Sequence, residues 1–152
     1  MFLTYEEYIP LTQKAEKFYP FHQDVDRKPK NALEMAHIEN ELGVKSTCYF
    51  RYKPATSKFE IIKKIVDLVH EVGYHRENLS DTNVDNEKAL VDFEKNLNEF
   101  RKITPIKIVS MQGGLLKKFN NRDLSCHAKR HEFLKIKNLP VSKVCFQIYP
   151  ER

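Results

Sequence analysis

Apolar positions change their period several times along the chain, and each change marks an element. Between residues 18 and 26 aromatic and β-compatible side chains precede Arg27-Lys28-Pro29, where proline suits the first turn of a helix, so a strand feeding a helix is predicted. Ala32, Met35, Ala36, Ile38 and Leu42 then recur at helical spacing over 29–42, and Gly43 supplies the stop. A β-rich run over 44–51 ends at a loop containing Pro54, after which Ser57 is placed to cap a helix with Ile61, Ile62, Ile65, Val66 and Val69 on one face. Gly73 is read as the end of that helix, with Tyr74-His75 a short extended piece. A polar loop over 78–86 leads into a third helix carrying Leu90, Phe93, Leu97 and Phe100, which Pro105 closes. Ile106, Ile108, Val109 and Met111 form a fourth strand running into Gly113-Gly114, and Val144, Phe146 and Ile148 alternate as a fifth.

Strands alternating with helices of this length predict an α/β fold built on parallel strands, because each crossover must carry the chain back to the same sheet edge. With 152 residues the chain has room for one domain with its own core, residues 1–152, and not for two of ordinary size. Hydrophobic residues at 41% and only 4 Gly and 7 Pro exclude a disordered or collagen-like chain.

The net charge is +5, but the basic groups Arg27, Lys28 and Lys30, Lys117-Lys118 and Lys129-Arg130 are short and scattered, which reads as solvated surface rather than a nucleic-acid face. Nowhere do 18 apolar residues run together, and charges at Glu6, Glu7, Lys14, Glu16 and Lys17 interrupt the place of a signal peptide, so no membrane partner is expected. Cys48, Cys126 and Cys145 are an odd number without C-x-x-C spacing, and a reducing, cytoplasmic setting fits them.

In parallel α/β folds ligands bind at the carboxyl ends of the strands. The residues predicted there are Asp24 and Asp26, Arg51, His75 with Glu77, and Gln112. Taken alone, Asp24 and Asp26 also suit a helix start, where acidic residues favour the dipole. His70-Glu71 with His75 has one residue too many for the zincin spacing. His127 and His131, with Cys126, lack the ligand count of a structural metal site, and Gly113-Gly114 is more simply a turn than an oxyanion hole.

Asp24-Val25-Asp26-Arg27-Lys28-Pro29, the run Gly43-Val44-Lys45-Ser46-Thr47-Cys48-Tyr49-Phe50-Arg51, His70-Glu71-Val72-Gly73-Tyr74-His75, Met111-Gln112-Gly113-Gly114 and Asn121-Arg122-Asp123-Leu124 together resemble the polysaccharide deacetylase (NodB-homology) family, in its order. The resemblance implies a deformed (β/α) barrel, here shortened, and metal-dependent hydrolysis of acetyl groups from N-acetylated sugars. It implies that Asp24 is the general base and that Asp26 and His75 hold a divalent ion, with Zn²⁺ the expected metal. Glu77, Gln112 and Arg51 are implied as weaker contributors, and the partner is a carbohydrate. A barrel missing strands exposes sheet edges, which favours a homo-oligomer.

Several family imidazoles are absent: Gln23 precedes the first aspartate, and Leu79, Gln112 and Tyr149 stand where histidines are usual. His22 is one residue off, about 13 Å from Asp26 along an ideal strand. The competing expectation is therefore a catalytically inactive remnant that binds carbohydrate or serves a structural role.

Overall fold

The computed structural model describes residues 2–3, 19–83 and 85–111. The strand predicted over 144–148, Gln112, Gly113-Gly114 and the group at Cys126, His127 and His131 lie outside those residues. β1 (Phe2–Leu3) and β2 (Tyr19–Pro20) form a short parallel pair. β3 (His22–Val25), β4 (Thr47–Phe50), β5 (Glu71–Arg76) and β6 (Val109–Met111) form a four-stranded parallel sheet in chain order. The fold is α/β, as the alternation predicts.

Helices make the crossovers: α1 (Pro29–Glu41) joins β3 to β4, and α2 (Phe59–Asp67) joins β4 to β5. A single helical turn α3 (Asn78–Asp81) and the long α4 (Asn86–Arg101) join β5 to β6. The main core gathers Val25, Cys48, Phe50, Val72, Tyr74 and Val109 from alternate sheet positions against Ala32 and Ala36 of α1, Ile62 and Ile65 of α2, and Phe93, Leu97 and Phe100 of α4. Burial also pushes the Cys48 thiol up to about 12, so it behaves as a small apolar side chain.

The predicted apolar face of α1 divides. Ala32 and Ala36 are buried, whereas Met35, Ile38 and Leu42 are exposed. The cause is Glu39, which turns toward the sheet instead: its carboxylate accepts from the Gln23 amide at 2.6 Å and from the Ser46 hydroxyl at 2.7 Å. Gly43 ends the helix as expected, at φ 68°.

Three local expectations are corrected. Ser57 does not cap α2; Lys58 occupies the cap position, and the Ser57 hydroxyl donates to the Arg51 carbonyl at 3.3 Å. The second helix stops at Asp67 rather than at Gly73, which lies inside β5, and Val69 is exposed instead of buried. The stretch 78–86, expected as a loop, contains α3, whose first residue, Asn78, is held by side chains of β5 and α4. The Tyr74 hydroxyl donates to Asn78 Oδ1 at 3.0 Å, and the Asn78 amide donates to Asp92 at 2.5 Å.

Val69 ends α2 in the left-handed region at φ 66°. A β-branched side chain there costs roughly 1–2 kcal/mol, a cost that glycine avoids while losing more entropy on folding. Val69→Gly is expected to raise the unfolding free energy by about 0.5–1 kcal/mol in urea titrations. An unchanged or lower stability would contradict strain at this position.

Candidate functional site

Alternation along the strands puts a second set of side chains on the sheet face away from the helices. Asp24 on β3 is in register with Tyr49 on β4, which is in register with Gly73 on β5, and His75 follows two residues further along β5. Tyr49 and His75 are buried, and their rings lie 6.2 Å apart. The His22 ring meets the other side of Tyr49 edge-on at 6.1 Å. His75 Nδ1 stands 4.0 Å from Asp24 Oδ1, which is ion-pair range and longer than a hydrogen bond. A carboxylate beside an imidazole at the carboxyl edge of a parallel sheet is a pair suited to accepting and passing on a proton.

Gly73 makes room for this arrangement. A Cβ at that position would meet two carbons of the Tyr49 ring at 2.5 Å and the Ile108 carbonyl at 3.2 Å. Tyr49 was not singled out from the sequence. The available signal was its parity with Asp24 and a glycine at the matching place in a strand that is otherwise bulky.

Asp26, just beyond β3, faces a different partner: its Oδ1 is 3.8 Å from Arg51 Nη1. Arg51 also binds Glu77 through two of its nitrogens, with Nε at 3.0 Å, and Lys53 Nζ reaches Glu77 at 3.1 Å and Asp81 at 2.6 Å. Burial alone would raise the Glu77 carboxyl, but hydrogen bonds and charge from Arg51 and Lys53 outweigh it and hold the group below the usual carboxylate range. Burial likewise opposes the charge on Arg51, yet Glu77, Asp26 and Asp81 raise its pKa. Glu77 is thus engaged by two cations, and Arg51 ties the ends of β3, β4 and β5 together.

At the opposite end of the sheet, His70 fills a structural place. Its Nε2 lies 2.9 Å from the Ala36 carbonyl, which can only accept, and its Nδ1 lies 3.2 Å from the Ser46 backbone N–H, which can only donate. Gln23 joins the same network through Glu39.

Among the described residues no group of three His, Cys, Asp or Glu side chains is gathered as a metal would need. Asp26 Oδ1 is nonetheless buried without a hydrogen bond. Among the same residues no helix is long and apolar enough to cross a membrane. Comparisons of the chain with protein-family models, with curated proteins and with solved structures found no match.

Two outcomes follow from this geometry. Gly73→Ala is expected to lower stability by about 1–3 kcal/mol, and Tyr49→Leu in the same chain to recover part of it, in a double-mutant cycle read by denaturation. Additive losses would mean that the two positions do not press on each other. Arg51→Ala is expected to cost about 2 kcal/mol or more because it leaves Glu77 undercompensated, and Arg51→Ala with Glu77→Gln to cost less than the single change. A double variant that is the less stable would contradict this account.

Proposed function

We propose that the chain is a metal-dependent hydrolase of the polysaccharide deacetylase kind, which removes acetyl groups from N-acetylated sugars and is built on a shortened, deformed (β/α) barrel. The observation that carries the reading is the Asp24–His75 pair at the carboxyl edge of a parallel sheet whose strands run in chain order without reversal. An unreversed order is what a barrel segment requires, whereas doubly wound sheets reverse.

In this reading Asp24 takes the proton from the attacking water, and His75 with Asp26 holds a divalent ion. The ion, Zn²⁺ by the chemistry of a carboxylate and an imidazole, would make that water more acidic and polarise the amide carbonyl. These two side chains are an incomplete ligand set, so the remaining positions fall to water or to residues outside those described, Gln112 among them. Arg51 acts on Asp26 by fixing its carboxylate, and Glu77 acts on Arg51.

A second reading, a carbohydrate-binding or structural remnant without catalysis, is favoured by one specific observation. Asp26, a proposed ligand, is already paired with Arg51, and an arginine beside a carboxylate competes with a metal for it.

The deciding experiment is calorimetric titration of chelator-stripped protein with Zn²⁺, run beside acetate release from N-acetylated sugar oligomers. One stoichiometric site weakened at least tenfold in both Asp26→Ala and His75→Ala is expected, with Asp24→Asn keeping the ion and losing 10²-fold or more of the rate. No Zn²⁺ site in folded protein, or equal affinity in all variants, would leave the remnant reading standing.

A further inference from the structure

The basic cluster at Arg27, Lys28 and Lys30 is left unused by the site described so far. The fold brings it beside Lys58, so that all four cations line one open cavity of about 780 Å³ between the starts of α1 and α2. Glu60 is the one carboxylate in that lining. Arg51, Lys53, Lys88 and Lys102 each have an ion-pair partner, whereas none of these four has one among the described residues. Four cations around one hollow with a single countercharge create a local positive field that attracts anions.

The cavity is continuous in its lining with the proposed catalytic edge. Arg27, Lys28 and Asn31 also line a neighbouring hollow of about 510 Å³ whose wall includes Asp24 and Asp26. Phe59 stands exposed on the wall of the larger cavity and offers an apolar face to the carbon side of a sugar ring.

We propose that the substrate carries a phosphate, which Arg27, Lys28, Lys30 and Lys58 bind while its acylated part lies against Asp24 and Asp26. The inference rests on the hydrolase reading above and narrows its substrate to a phosphorylated, N-acetylated sugar. A phosphate with close to two negative charges matches the excess of cations better than a neutral sugar, for which unbalanced lysines offer little. Arginine contributes paired donors to the phosphate oxygens, and the lysines contribute point charges.

The test compares binding of N-acetylglucosamine 6-phosphate, N-acetylglucosamine and inorganic phosphate by calorimetry at fixed ionic strength. The phosphorylated sugar is expected to bind at least tenfold more tightly than the neutral one. Arg27→Glu with Lys58→Glu should remove that advantage, whereas Lys88→Glu with Lys102→Glu, which changes net charge equally elsewhere, should leave it within twofold. Equal binding of the two sugars, or equal losses in both double variants, would overturn the proposal. Failure of the hydrolase reading, seen as missing Zn²⁺ binding and acetate release while the wild type still prefers the phosphorylated sugar, remains distinguishable from failure of the anion site, seen as loss of that preference. Tighter binding of a short single-stranded oligonucleotide than of the sugar phosphate, lost with the same Arg27 and Lys58 changes, would also overturn it.

Discussion

Burial of β4 on both faces is the constraint on which the other features depend. Thr47, Cys48, Tyr49 and Phe50 are all withdrawn from solvent, so alternate residues must be satisfied in two different environments. Cys48 and Phe50 join the helix-side core. Thr47 donates to Glu71 on the neighbouring strand at 2.7 Å, and Tyr49 takes the space that Gly73 leaves open. A shift of one residue in the β4 register would exchange these sets and put a hydroxyl and a phenol into the core. Asp24 and His75 reach the same face because their strands are registered against this one.

Charge is distributed around that sheet in two regimes. At the ends of β4 and β5 the cations Arg51 and Lys53 are matched by Asp26, Glu77 and Asp81, and partial burial makes the matching necessary. Along the entry to α1 and α2 the cations are exposed and have no ion-pair partner among the described residues. The first regime fixes strand ends relative to one another and so governs the position of Asp26. The second makes no ion pair that holds described elements together.

The sequence discloses those parts of the fold that rest on local period. α1 and α4 are legible from spacing together with Pro29, Gly43 and Pro105, and the sheet follows from the alternation of elements. What was not legible depends on partners distant in the chain. Glu39 is buried in the last turn of α1 because Gln23 and Ser46 meet it, and no periodicity encodes that. Gly73 looked like a helix stop because its need for a small residue comes from Tyr49, on another strand. The carboxylate of Glu77 suggested a ligand, but its engagement with Arg51 and Lys53 is set by tertiary structure. For the candidate site, strand order was enough to bring Asp24 and His75 to one edge, while the separation of Asp26 toward Arg51 was not foreseeable.

Among the described residues two histidines lie near carboxylates, His70 just before β5 and His75 within it, and their surroundings differ. His70 Nδ1 lies 3.7 Å from Glu39, but both of its ring nitrogens also meet backbone groups and the pair is sealed at the amino-terminal edge. A proton transferred there would have to break the contacts that join α1 to the sheet, and no substrate can reach it. His75 stands at the carboxyl edge beside Asp24, whose carboxylate is open to solvent. The same two functional groups thus form a fully sealed fastener at one end and, at the other, a pair in which the imidazole is buried and only the carboxylate meets solvent. The distinction lies in burial and in the backbone groups already occupying the imidazole, not in residue type, so a histidine count along the chain does not reveal it.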